Sequence, residues 1–435
     1  MQHEIDAQKL GPLGSMVTEP ISACVHCGFC LPTCPTYKLL GEEENSPRGR
    51  IFLMKEVLEG ELKPVEIASS IDQCLGCAAC MTACPSGVNY DQLLTGYRHL
   101  KHSRTRSWMQ QIRDFMVHST LPYPERFRWA IRLGRLFKPF SRLIPAAIRP
   151  MLELLPDRLP SRVAWPEVTE VEGRRRARVV LLTGCAQDVL APRITKAAIS
   201  VLVRNGVEVI VPRAQGCCGA LSWHAGRVSV AAKMAGDLLQ RIPQDVDAVL
   251  TTTAGCGSTL KEYGHVTHGS PAHEKGQWLS NNIKDICEFL DELGLASPTG
   301  LPRLMRVAYH DACHLLHAQK IGQAPRRLLN KINNLQLIEL PTAGSCCGSA
   351  GSYNIEQPKL AEDLGRSKSR EILKTEVHAV ATGNIGCMVQ LQRHLSESSS
   401  NPPPVWHTIE VLERAYRPRS LTEMDSVSNL APNVF

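Results

Sequence analysis

Residues 24–35 read CVHCGFCLPTCP, and residues 74–85 read CLGCAACMTACP. Each stretch has the spacing C-x2-C-x2-C-x3-C and ends in proline: Cys24, Cys27, Cys30, Cys34 and Pro35, then Cys74, Cys77, Cys80, Cys84 and Pro85. Three thiolates two residues apart can wrap one face of a metal–sulfur cube from a single tight loop. The chain then turns away at the proline, and the fourth thiolate is carried toward a second cube. A disulfide framework or a zinc site explains neither the duplication nor the repeated Cys-Pro ending. The spacing predicts two [4Fe–4S] clusters with crossed ligation. Cys24, Cys27, Cys30 and Cys84 are the expected ligands of the first, and Cys74, Cys77, Cys80 and Cys34 those of the second.

This is the run found in two-cluster ferredoxins, and it sets the expected first domain at residues 1–100. Between the runs, Ser46 is suited to cap a helix and Pro47 to its first position, with Ile51, Met54, Val57 and Leu58 at helical period and Gly60 as the stop. Arg48 and Arg50 fall in its first turn, where cations oppose the helix dipole. Two readings stay open for them: compensation of a thiolate-ligated cluster, or plain solvation.

The chain has 435 residues and 17 cysteines. Outside the first domain the cysteines recur in blocks. Cys185, Cys217-Cys218-Gly219 and Cys256 are followed by Cys313, Cys346-Cys347-Gly348 and Cys387. The offsets between equivalent cysteines are nearly constant, so one module occurs twice in tandem. Each block follows a strand-like run: Val179 to Leu182, Val207 to Val211 and Ala248 to Leu250, then Val307 to Tyr309, Leu335 to Leu340 and His378 to Ala381. Helical stretches such as Arg193 to Arg204 and Ala324 to Ile332 lie between them. Alternation of strand and helix predicts parallel βαβ units, whose sites form at the carboxyl ends of the strands. The expected modules span 177–300 and 301–416. Their eight cysteines are candidate ligands of further clusters, and the alternative is a dithiol pair with buried structural cysteines. His224, His310, His314 and His317 lie near these blocks, either as ligands or proton carriers or as ordinary half-buried histidines. Cys287 stands alone in a helical context and reads as a small core residue.

A net charge of +7, 43% apolar and 21% charged residues describe an ordinary globular protein. No Sec-type leader and no apolar run near the ~18 residues that cross a bilayer are visible. The expectation is a cytoplasmic protein, or one peripheral on the cytoplasmic face of a membrane. Residues 101–176 form a basic linker of short helices, with Trp108, Phe115, Trp129, Phe137 and Phe140 among Arg113, Arg126, Arg128, Arg132, Arg135 and Arg142. It suits an anionic membrane, a docked partner, or a solvated spacer. Nucleic acid is not expected, because no recognition motif accompanies the charge. The tail, 417–435, reads as disordered. The whole is a multi-domain α+β/α chain: a helical two-cluster domain followed by two α/β modules with parallel sheets.

The tandem modules resemble the cysteine-rich CCG domains of heterodisulfide reductase and related electron carriers. The full combination resembles the iron–sulfur subunit of bacterial glycolate oxidase. The shared segments include ACVHCGFC at 23–30, SPRGRI at 46–51, GCAQ at 184–187, GCCGA at 216–220, GCGSTLKEYG at 255–264, HAQK at 317–320, CCGSAGSY at 346–353 and NIGC at 384–387. The resemblance implies an oxidoreductase subunit that takes electrons from flavin-containing partner subunits oxidising glycolate to glyoxylate, and passes them to a membrane acceptor, quinone. No catalytic residue is expected on this chain, which has no dinucleotide or flavin motif. A sister carrier for lactate or glycerol-3-phosphate oxidation, and a CCG-type thiol–disulfide reductase, are the competing readings. One departure bears on the last: the C-x2-C ending of the five-cysteine CCG form is missing, since Thr259 and Gln390 stand where its fifth cysteine would be.

Overall fold

A computed structural model describes residues 1–100, 107–144, 149–171 and 173–416. The expected disordered tail, 417–435, and parts of the basic linker lie outside the described residues.

The N-terminal domain is helical. Helix Pro47–Glu59 begins as its sequence dictates: Ser46 Oγ accepts from the Gly49 N–H at 3.0 Å, Pro47 takes the first position, and Gly60 ends it at a φ of 95°. Its inward face contributes Ile51, Met54 and Val57 to a core with Ile67, Ile71, Leu93 and Tyr97. Helix Gly14–Ala23 packs along helix Tyr90–Leu100 and adds Val17 and Ile21 to that core.

Two parallel sheets follow. The first joins β1 (Val168–Thr169), β2 (Ala177–Leu182), β3 (Val207–Ile210), β4 (Ala248–Thr251) and β5 (Ile283–Asp285) in the order β1-β3-β2-β4-β5. Only β1 runs antiparallel, paired to β3 through Val168 opposite Ile210. The second joins β6 (Met305–His310), β7 (Leu335–Glu339), β8 (Ala379–Thr382) and β9 (Val405–His407) in the order β7-β6-β8-β9, all parallel. Apart from Arg178 and Arg306 near their starts and His310 at the end of β6, the central strands β2, β4, β6 and β8 are apolar or small and almost wholly buried, because helices cover both faces. In each sheet the first long strand lies between the second and third, so the chain winds in opposite senses on either side of it. Sites form at that switch point, beyond the carboxyl ends of the strands. Cys185 and Cys313 follow the two switch strands there.

The modules associate by reciprocal exchange. Helix Pro192–Arg204 of the first packs on Thr408–Tyr416 of the second, and Ile286–Leu293 packs on Gln323–Leu329. The result is one continuous core with pseudo-two-fold character, and Cys287 lies within it, 1% exposed.

The N-terminal domain straddles both modules. Its second cysteine loop meets the second module, where His314 Nε2 lies 2.9 Å from the Gly76 carbonyl and the Tyr353 hydroxyl donates to the Gln73 carbonyl at 3.0 Å. Helix Tyr90–Leu100 meets the first module, where Arg98 donates to the His224 carbonyl at 2.9 Å. Gly226 is needed there, because a Cβ on it would lie 2.5 Å from the His99 backbone nitrogen. Helices Trp108–Thr120 and Pro124–Phe137 form a hairpin over the first module. Buried Arg128 anchors it, donating to the carbonyls of Pro160 at 2.8 Å and Asp188 at 3.3 Å.

Candidate metal centres

The two N-terminal cysteine loops share one backbone design. His26 and Gly28 are left-handed at φ 55° and 84°, and Gly76 and Ala78, fifty positions later, at 62° and 59°. Alternating left-handed residues curl the loop so that successive thiols face one centre. Cys24, Cys27 and Cys30 line one pocket together with Cys84, and Cys74, Cys77 and Cys80 line another together with Cys34. Cys80 borders both. No carboxylate lines either pocket.

Donors converge on these sulfurs. The Val88 N–H points to Cys84 Sγ at 3.4 Å, the Gly76 N–H to Cys74 Sγ at 3.5 Å, and the Tyr90 hydroxyl to Cys74 Sγ at 3.7 Å. Such bonds stabilise thiolate and raise the potential of an attached cluster. Burial pushes the thiols of Cys77 and Cys80 well above their usual range. Thiols so placed ionise when a cation takes up their charge, which is what iron supplies. The donor set fits two cubane clusters, each with four sulfurs.

Arg48 and Arg50 part company. Arg48 is half-exposed, bridging the His26 carbonyl at 3.0 Å and the Glu43 carboxylate. Arg50 is 1% exposed and has no carboxylate partner among its hydrogen bonds. It donates to the Ser70 carbonyl at 2.6 Å and Thr36 Oγ1 at 3.0 Å, and lies 3.9 Å from Cys34 Sγ. A buried guanidinium with no acid to pair costs several kcal/mol. Thiolates are the anions this one faces.

In the first module, Cys185 opens a short helix after Gly184, Cys217 and Cys218 occupy the loop after β3, and Cys256 lies in helix Ala254–Lys261. Cys185 donates to Cys217 Sγ at 3.5 Å, and the Gly219 N–H does so at 3.4 Å. Thiol donors from Cys185 and Cys218 hold Cys217 well below the usual range, and Cys185 and Cys218 rise in consequence. All four cysteines line a cavity of about 270 Å³ that also reaches Cys74, Gly76, Asp91, Arg98, Cys313 and the Leu121–Pro122 turn of the hairpin.

The second module is built differently. Cys313, Cys346, Cys347 and Cys387 are all buried, and their thiols touch in that order along the chain of contacts. Only Cys313 reaches the 270 Å³ cavity. The histidines divide as well. His314 spans Ser258 Oγ at 2.8 Å and the Gly76 carbonyl, while His317 spans Thr82 Oγ1 at 3.0 Å and the Gly344 carbonyl at 2.9 Å. His314 fastens the seam with both ring nitrogens, and His317 with Nδ1 while Nε2 bonds within its own module. His224 stacks edge-on to His314 at 5.2 Å and contacts Thr259 Oγ1 at 3.2 Å. His310 lies apart, beside Cys347 and Cys387. Tyr90 was not singled out from the sequence, which offers no local signal for it. It follows the second run by six residues and turns back onto Cys74.

A 4Fe–4S dicluster domain family matches residues 20–88, and the cysteine-rich CCG domain family matches residues 179–261 and 307–392. The "Glycolate oxidase iron-sulfur subunit" of Escherichia coli (strain K12) is 34% identical over 401 residues, spanning 91% of this chain and 94% of that protein. The "Probable glycolate oxidase iron-sulfur subunit" of Bacillus subtilis (strain 168) is 34% identical over 389 residues, spanning 85% and 88%. This chain belongs to the glycolate oxidase iron–sulfur subunit family. Two [4Fe–4S] clusters accordingly reside in its N-terminal domain, as the paired cysteine runs foretold. A solved structure of a hypothetical protein from Helicobacter pylori shares the fold at a TM-score of 0.50 and 9% identity, covering 87% of this chain and 69% of that one.

Proposed function

We propose that this chain is the electron-transfer subunit of a glycolate oxidase complex, accepting electrons from a flavin-containing subunit and delivering them to a membrane quinone. Its relatives over nearly the whole length carry that subunit's name. Cys24, Cys27, Cys30 and Cys84 hold one cluster, and Cys74, Cys77, Cys80 and Cys34 the other; Cys185, Cys217, Cys218 and Cys256 hold a further metal centre in the first module. Bound clusters supply one-electron steps between a two-electron flavin and a distant acceptor.

The observation that carries the reading is a run of thiol-lined sites from the surface inward. The first pocket lies at the surface, where Cys27 is exposed and Val25 and Phe29 beside it are 67% and 63% exposed. That apolar rim suits a docked partner subunit. The second pocket is closed against the modules. Cys74 lines both it and the 270 Å³ cavity, where the first module's four cysteines wait.

The far side of that cavity favours a membrane acceptor. The Leu121–Pro122 turn borders it, and the hairpin helices on either side expose Trp108, Phe115, Trp129, Leu136 and Phe137. Arg126, Arg132, Arg135 and Lys138 lie among them, against Asp114 and Glu125 as the acidic residues of 107–144. Aromatic and basic side chains together suit the headgroup layer of an anionic bilayer. Among the described residues no helix is long and apolar enough to cross a membrane, so the proposed attachment is peripheral, on the cytoplasmic face.

The test is the complex assembled with its flavin subunits and carrying Cys217→Ser. Glycolate should still reduce both N-terminal clusters, seen by EPR, while quinone reduction falls to background. Undiminished quinone reduction would remove the first module from the path. Failure of glycolate to reduce either cluster in the wild-type complex would overturn the whole reading.

A further inference from the structure

His310 closes β6, and its side chain is 1% exposed. Neither ring nitrogen has a hydrogen-bond partner among the described residues. Imidazole is rarely left that way, since each unmatched buried polar atom costs about 1–3 kcal/mol. A ring nitrogen of His310 and the sulfurs of Cys347 and Cys387 all lie within 4.8 Å of one another. We propose that the second module holds a single thiophilic divalent ion, zinc, on His310, Cys347 and Cys387. This goes beyond the electron-transfer role and does not depend on which substrate the complex oxidises.

The chemistry follows from the donors. One imidazole and two thiolates are borderline-soft ligands, and zinc takes them in tetrahedral geometry with bonds of about 2.0–2.3 Å. Donors in such a shell are about 3.3–3.8 Å apart, so a set within 4.8 Å needs to close by only about 1 Å. The thiol of Cys347 also contacts that of Cys346, which offers a donor for the fourth position. Binding displaces the thiol protons, and two thiolates balance the charge of the ion.

The first module lacks the imidazole. Leu182 ends β2 three residues before Cys185, as His310 ends β6 three residues before Cys313. Leucine offers no lone pair. The surroundings differ in the same sense: the first module's four cysteines line the open cavity, whereas His310, Cys346, Cys347 and Cys387 do not. A closed, fully protein-ligated shell is the form of a structural metal site. The duplicated module has thus diverged into an open centre on the electron path and a closed one that fastens loop 345–349 to β6 and helix Ile385–Ser398.

The experiment is metal analysis and zinc K-edge absorption on the full-length protein, purified without air from zinc-replete cells, as wild type and as His310→Leu. Wild type should contain about one zinc per chain in a shell of sulfur and one imidazole. The variant should lose that zinc while keeping the EPR signals of both N-terminal clusters. A wild-type protein without zinc, a zinc edge showing only oxygen and nitrogen neighbours, or zinc retained in the variant would each overturn the proposal. Iron that disappears with His310 would overturn it in favour of a cluster. The edge spectrum of the wild type decides the matter even if the variant does not fold.

Discussion

Arg50 offers the sharpest test of the electrostatics. Its guanidinium is buried, carries no carboxylate partner in its hydrogen bonds, and lies 3.9 Å from Cys34 Sγ, on the side of the second N-terminal pocket. Adding the half-width of a cubane puts the charge about 6 Å from the cluster centre, and an effective dielectric constant of about 20 then gives an interaction of about 3 kcal/mol. For one electron that corresponds to about 120 mV, because ~59 mV is a factor of ten. Reduction adds negative charge, so removing the cation makes reduction harder. In Arg50→Gln the midpoint potential of the second centre should fall by about 100 mV, with that of the first moving far less. Arg50→Lys keeps the charge and should hold the potential within a few tens of mV, about a third of the full effect. The assay is an EPR-monitored redox titration of the three proteins side by side. Equal shifts in both centres, or no shift in either, would refute the reasoning, because distance and burial single out one of them. The Gln variant should also lose stability, since the Ser70 carbonyl is left without its donor at a cost of about 1–3 kcal/mol.

Crossed ligation makes a prediction that sequence proximity would reverse. Cys34→Ser should abolish the centre of the second run and Cys84→Ser that of the first, each with a loss of about four irons by colorimetric counting. The hairpin should bind vesicles rich in anionic lipid. Replacing Trp129, Leu136 and Phe137 by serine should weaken that binding about 100-fold, at about 1 kcal/mol per partly immersed side chain, measured by co-sedimentation; equal binding by the triple variant would place the contact elsewhere. His407 is buried where the modules meet, with Nε2 donating to the Thr252 carbonyl of the other module at 2.8 Å and Nδ1 accepting from the Ile409 N–H at 3.1 Å. Burial lowers its pKa from 6.5 to about 4. The neutral form is the folded one, so this stability is complete above pH 6.5 and is lost as pH falls toward 4. The loss amounts to about 3 kcal/mol. Thermal unfolding against pH should be steep in that window for the wild type and shallower for His407→Gln.

What could be read from the sequence was local or periodic. The cysteine runs dictate two clusters because the fixed reach of a tight loop leaves few other uses for that spacing. The helix over Pro47–Glu59 was legible because its cap, first proline and terminal glycine are each short-range signals. The repeat was legible because its cysteine offsets agree within a few residues. What escaped was whatever depends on a neighbour far along the chain. Arg50 and Arg48 are alike in sequence, and only the packing of helix Pro47–Glu59 over Cys34 buries one and leaves the other half-exposed. His314 and His317 looked like ligand candidates beside Cys313, yet they bond Gly76 and Thr82 across 238 and 235 residues. His310 was one histidine among four near the cysteines. Its lack of any hydrogen-bond partner can be seen only once β6 and the helix Ile385–Ser398 are in place.

The same long-range packing makes the two copies of the module unequal. Left to themselves, paired modules related by a pseudo-two-fold would present equivalent cysteine sets on either side of the axis. The N-terminal domain breaks the equivalence by where it lands. Its second loop fills the space above Cys313 and Cys346, where Leu75, Cys77 and Ala79 join those cysteines in one buried cluster. With that contact in place Cys346, Cys347 and Cys387 are buried, and of the second module's cysteines only Cys313 reaches the 270 Å³ cavity. Over the first module, helix Tyr90–Leu100, the edge of the second loop at Cys74–Gly76 and the Leu121–Pro122 turn leave the space between them open as the 270 Å³ cavity. At the equivalent end of the switch strand the first module has Leu182 and the second has the buried His310. The open module kept its four sulfurs facing Cys74. The next thiol-lined site beyond the second N-terminal pocket therefore lies across that cavity, which the Leu121–Pro122 turn of the hairpin also borders.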